Sequence, residues 1–287
     1  MLNENTYETK KTEHKEYIRE KTNDVNHNEF PEPYSKEYSY LAHFLKNGMF
    51  DEFDYAIFEM RNNDIIYPDF EENVDNVLGN GLIWACYYDK ISDVKKLIED
   101  YNVDVNFCRV VNNSDGYYYQ EYTIHNCNSI EVLEYLLEKG AWINAEHVCT
   151  ESCDEPQSVT ILTLCCQCTD PYYGYGNLAM FKWLLENGYK YGLDVNYIPQ
   201  HPHNQYNPNQ GCANHTSYTP LETGIVMWGE IEKIQMMFNH GANVIRPGIM
   251  DVLNERIVDG DLDDKHLTMF SYVSENLKSN KNTITMM

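Results

Sequence analysis

Positive charge is scarce in this chain. Lysine and arginine total 21 against 45 aspartates and glutamates, a formal net charge of −24. A field of that sign repels nucleic acid and anionic membranes, and it either favours basic partners or simply keeps an acidic surface solvated. No segment approaches ~18 continuous apolar residues, so no membrane span is expected. Met1-Leu2-Asn3-Glu4-Asn5 carries neither a basic patch nor an apolar run behind it, so no export signal is expected. The nine cysteines then read as reduced, small, mostly buried side chains of an intracellular protein. A Gly-rich phosphate loop and a Gly-x-Ser-x-Gly turn are both missing, and no catalytic residue or cofactor is expected.

What the chain does have is a recurring phrase. In Ser129–Ala145, Ile130, Leu133, Leu136 and Leu137 recur at helical spacing, while Glu131, Glu134, Glu138 and Lys139 fall on the other faces. Gly140 follows the last periodic residue, where a helix ends in a left-handed residue. An extended segment, Ala141-Trp142-Ile143-Asn144, comes next. The phrase returns at Phe181–Gly188 and at Met236–Val244, with a weaker copy at Val94–Asn106. One such helix cannot bury its stripe alone, so recurrence implies stacked repeats. The phrase places left-handed glycines at Gly140 and Gly188.

Taken in order, residues 1–33 are polar and without periodicity, and read as a disordered extension. Residues 34–79 carry two apolar stripes, Tyr38 to Leu45 and Phe50 to Met60, and a short extended piece at Ile65–Pro68, and read as a helical N-terminal cap. Repeats follow over 80–246, at about 80–108, 116–146, 158–197 and 217–246. Residues 247–280 read as a two-helix C-terminal cap, and 281–287 as a tail.

Thr219-Pro220-Leu221, a helix, a second helix and Gly241-Ala242-Asn243-Val244 resemble an ankyrin repeat. The other units keep parts of the same opening: Thr160 and Leu162 in the third, His125 in the second, Leu82 and the small pair Ala85-Cys86 in the first. Glu222 stands where the family has histidine. The resemblance covers Asn80 to Ile245. With the heavy use of Asn, Tyr, Ile and Asp, the chain resembles the divergent ankyrin proteins of large amoeba-infecting DNA viruses, which implies residence in a host cytoplasm. The implied fold is an all-α ankyrin-repeat helical solenoid with long β-hairpin or loop fingers and helical caps. The implied function is a monomeric, non-enzymatic protein–protein interaction scaffold.

The motif positions Leu82, Ile124, Leu162 and Leu221 are 42, 38 and 59 residues apart, against ~33 in a regular ankyrin repeat. The excess makes fingers at Asn106–Glu121, Asn144–Gln157 and Asn196–Ser217, and a smaller insertion at Thr169–Gly176. Insertions in solenoids collect on binding faces. Exposed tyrosine is a favoured contact residue, so Tyr117, Tyr118, Tyr119, Tyr172 and Tyr173, with His147, are the expected partner contacts. The expected partner is a protein with a basic surface, and neither nucleic acid nor a membrane. The alternative is a metal-clipped or enzymatic variant. His201, His203, Cys212 and His215 could hold zinc in the longest finger, although their spacing matches no familiar finger and the stretch reads first as an ordinary polar loop. Cys149, Cys153, Cys165, Cys166 and Cys168 read first as packing residues. His125 reads as a hydrogen-bonded core histidine.

Overall fold

The computed structural model of the protein describes residues 36–62, 70–112, 118–150, 157–166, 178–199, 219–226, 231–243 and 264–279. The expected N-terminal extension and tail, the piece at 65–68, the insertion at 169–176 and nearly all of the third finger lie outside them.

Helix is the main element. Helices α1 (Lys36–Lys46), α2 (Phe50–Asn62), α3 (Phe70–Tyr87) and α4 (Ile91–Glu99) precede a hairpin of β1 (Cys108–Asn112) and β2 (Tyr118–Tyr122). A short 3-10 turn, Thr123–Asn126, leads to α5 (Ile130–Glu138), and a second hairpin follows, β3 (His147–Thr150) with β4 (Gln157–Val159). Then come α6 (Ile161–Cys166), α7 (Leu178–Asn187), a 3-10 turn at Gly188–Tyr191, α8 (Pro220–Val226), α9 (Ile231–Asn239) and α10 (Asp264–Ser279). Among the described residues no helix is long and apolar enough to cross a membrane.

The two hairpins fall at the first two expected fingers, and their union into a sheet corrects the all-α expectation. They are not separate fingers: β2 pairs with β3, so all four strands form one antiparallel sheet in the order β1-β2-β3-β4. Each hairpin follows from its own sequence, but the pairing between them joins segments about one repeat apart, which local pattern does not reveal.

Helix packing follows the sequence stripes. Leu41, Ala42, Phe44 and Leu45 of α1 and Phe50, Phe53, Ala56 and Ile57 of α2 are buried. In α5 the buried set is Val132, Leu133, Leu136 and Leu137, with Ile130 only half-buried. Each fully buried Val, Leu, Ile or Phe among them contributes on the order of 1.5–3 kcal/mol. Ser129 caps α5, its hydroxyl accepting from the Val132 amide at 3.3 Å. The first helices contact in sequence: α1 on α3, α3 on the Thr123–Asn126 turn, that turn on α6, and α6 on α8. The second helices pack beside them, α4 against α5 and α7 against α9. Helix α3 runs unbroken past residues 79 and 80, so the expected border between cap and first repeat falls inside one helix. Gly79 there lies under the Phe107 ring, where a Cβ would come within 2.3 Å.

The two halves of one capping device recur at the openings of three units, one half in the second, the other in the third and both in the fourth. The Tyr122 amide donates to His125 Nδ1 at 3.1 Å, and the Thr219 amide donates to Glu222 Oε2 at 2.9 Å. Thr219 Oγ1 returns the arrangement by accepting from the Glu222 amide at 3.2 Å, a reciprocal capping box. In the third unit Thr160 Oγ1 accepts from the Thr163 amide at 3.4 Å. His125 in the second unit and Glu222 in the fourth thus serve the same orphan amide.

Candidate functional site

The site grows from the turns that leave the second helices. Asn102, Gly140, Gly192 and Gly241 are all left-handed there, with φ of 55°, 95°, 82° and 87°. Gly188 is not. The chain inserts the extra 3-10 turn Gly188–Tyr191 before turning at Gly192, so the expected left-handed position moves by four residues. Glycine is needed at 188 for another reason: a Cβ would come within 2.7 Å of the Leu193 side chain.

After the first three of these left-handed residues the chain makes the same tight turn. Phe107, Ala145 and Tyr197 donate their amides to the carbonyls of Asp104, Trp142 and Asp194 at 2.9, 3.0 and 3.1 Å. The residue before each donor is asparagine, and that side chain clips the next turn. Asn106 Nδ2 donates to the Gly140 carbonyl at 3.1 Å and its Oδ1 accepts from the Trp142 amide at 2.8 Å. Asn144 does the same with Gly192 and Asp194 at 2.8 and 3.2 Å. Asn196 repeats it with Gly241 and Asn243 at 3.1 and 2.9 Å. Three bidentate amide bridges therefore lock four consecutive turns.

Within this ladder one position breaks pattern. Asp104 and Asp194 each accept from the amide two residues on, at 2.9 Å. The equivalent residue of the second turn is Trp142, which lies 59% exposed. Its neighbours Ala141 and Ile143 are buried, so alternation in the extended segment turns the indole outward.

Trp142 stands on the wall of a groove of about 650 Å³, shared with Tyr122, Tyr191, Tyr197, Asn144 and Glu146. The Tyr122 and Trp142 rings meet at 5.9 Å with their planes tilted by 54°. Tyr191 also stacks on Trp183 at 6.3 Å. Tyr197 donates its hydroxyl to Glu146 Oε1 at 2.8 Å, and Ser158 donates to Oε2 at 2.8 Å. Burial first, then the bond to Glu146 and the charges of Glu146 and Asp194, push the Tyr197 phenol up to about 12. Tyr191 is raised by desolvation and by the charges of Glu134 and Glu138. The groove thus offers neutral aromatic surface in a negative field.

Behind it lies a buried polar cluster. Arg109 and Glu121 face each other across β1 and β2 and form an ion pair, with Glu121 2% exposed. The His147 ring lies 5.6 Å from that of His125, edge to face. His125 Nε2 reaches the Ala145 carbonyl at 2.9 Å, and since Nδ1 accepts from Tyr122, Nε2 is the donor and the ring is neutral. Burial, and then the charge of His147, lower the His125 pKa to about 3.

The sequence-selected contacts are placed differently. Tyr118 and Tyr119 lie on β2, an inner strand paired on both sides. His147 is 8% exposed and packs inside the cluster instead of standing on a finger tip. Tyr117, Tyr172, Tyr173, His201, His203, Cys212 and His215 lie outside the described residues. Among the described residues no three His, Cys, Asp or Glu side chains are grouped as a metal ion would need. The groove residues were missed because they come from three separated segments. One local signal was present, a tryptophan at the outward position of Ala141-Trp142-Ile143. No protein-family model matches the chain, and no curated protein matches it.

Proposed function

We propose that the protein is a non-enzymatic interaction scaffold of the ankyrin-repeat type, in which the groove around Trp142 receives a basic segment of another protein. The observation that carries the reading is the exposed indole at a turn position that is aspartate or asparagine in the other units of the ladder. Repeated amide bridges, repeated caps and the contact order of the short helices support the repeat reading. They also give the groove rigid walls, which lowers the entropic cost of binding. Large aromatic side chains ringed by polar groups are the composition of an interaction hot spot. The surrounding carboxylates Glu134, Glu138 and Asp194 steer a basic partner and repel nucleic acid.

Affinity capture with the full chain as bait, followed by mass identification and a salt series, tests this. Captured proteins should be basic, and their association should slow as salt rises. Replacing Tyr117, Tyr118 and Tyr119 by Ala measures what the first hairpin adds. Capture of acidic proteins only, indifferent to salt, would remove the proposal.

A further inference from the structure

We propose that the groove beside Trp142 holds the guanidinium of an arginine carried by the partner's basic segment. This names the ligand of the groove described above and rests on the scaffold reading. Four rings line the groove, those of Tyr122, Trp142, Tyr191 and Tyr197, and the Tyr122 and Trp142 rings stand 5.9 Å apart. A cation is attracted to such faces, and a planar one gains stacking contact as well. Among the described residues lining the groove, Glu146 is the one that carries a charge. The hydroxyls of Tyr197 and Ser158, each at 2.8 Å, fix its two oxygens in place. A carboxylate oxygen accepts more than one donor, so an anchored carboxylate can meet the parallel N–H pair of a guanidinium.

The asparagine of the groove carries no charge and spends its amide on the turns. Asn144 uses both ends of its amide on Gly192 and Asp194. Recognition of charge therefore falls to Glu146, in a field reinforced by Glu134, Glu138 and Asp194, which act on Tyr191 and Tyr197. Arginine fits better than lysine, whose compact ammonium is strongly hydrated and lacks a flat face. A quaternary ammonium needs enclosure by rings, whereas the Trp142 indole is 59% exposed.

The test uses the full chain labelled with ¹⁵N, with the Trp142 indole N–H resonance assigned by its loss in Trp142→Leu. The probes are capped Gly-Arg-Gly amide, its lysine counterpart and its citrulline counterpart, which is neutral but nearly isosteric with arginine. The arginine probe should shift the Trp142 resonance saturably, with a Kd of roughly 1–10 mM. Lysine should bind about threefold or more weakly, and citrulline should not saturate. Glu146→Gln, which still accepts from Tyr197 or Ser158, should weaken the arginine probe roughly tenfold. Trp142→Leu should abolish its effect on the Asn144 amide. Equal binding of citrulline or lysine, or an unchanged affinity in Glu146→Gln, overturns the inference. If the arginine probe fails while Trp142→Leu still loses a captured basic protein, the scaffold reading stands and only the arginine assignment falls. If neither responds to Trp142, both fall.

Discussion

Asn106 and Trp142 are joined across consecutive turns, the asparagine Oδ1 accepting the tryptophan amide at 2.8 Å. The bond fixes the backbone from which the indole projects. The companion bond to the Gly140 carbonyl makes the contact bidentate, so the turn cannot rotate about a single hydrogen bond.

Replacing an asparagine of the ladder should therefore loosen two units at once. Asn144→Ala removes two bonds and should cost about 1–3 kcal/mol in urea unfolding. Asn144→Asp keeps the acceptor and turns a carboxylate toward the Gly192 carbonyl, so it should not restore stability. An alanine variant as stable as the parent would show that the bridge contributes nothing net.

Two glycines should respond for different reasons. Gly192→Ala meets no atom within 4 Å but must hold φ near +82°, a strain of roughly 1 kcal/mol. Gly79→Ala keeps an ordinary helical backbone but drives a Cβ into the Phe107 ring, and should cost about 1–3 kcal/mol. Phe107→Leu should relieve Gly79→Ala in a double-mutant cycle and leave Gly192→Ala unrelieved.

Much of this was legible from sequence, and the misses have identifiable causes. Spacing alone places Leu136 and Leu137 in the core, and both are buried. Leu136→Ala should cost about 2–5 kcal/mol. The phrase ending in Gly188 looked identical to the one ending in Gly140, yet an extra 3-10 turn moves the left-handed residue to Gly192. Such an insertion costs little and leaves the preceding helix pattern unchanged, so periodicity does not report it. The groove was illegible because Tyr122, Glu146 and Tyr197 meet only once the asparagine bridges set the spacing of the turns. Counting tyrosines picks out the Tyr117–Tyr119 cluster and gives no weight to the single outward Trp142, which only the alternation of Ala141-Trp142-Ile143 marks.

Stability should fall with acid before most carboxylates titrate. An unfolded imidazole takes up a proton as the pH drops through ~6.5, whereas buried His125 stays neutral down to about 3. His147 is also lowered, by burial, with Glu121 opposing and Arg109 reinforcing the shift. Over this window the unfolded state binds more protons, so each neutral imidazole removes up to about 1.4 kcal/mol of stability per pH unit lost. Urea unfolding between pH 7 and 5 should show the slope, and His125→Gln should reduce it. An identical slope in that variant would assign the effect elsewhere.

The most direct measurement is quantitative capture of basic proteins by the parent chain and by Trp142→Leu combined with Tyr191→Leu, at matched circular dichroism. Both side chains lie on the groove wall, and Trp142 is largely exposed, so the fold should persist. Capture should fall at least tenfold at low salt, with the remainder vanishing as salt rises. Undiminished capture by the double variant would contradict the assignment of the groove as the binding face.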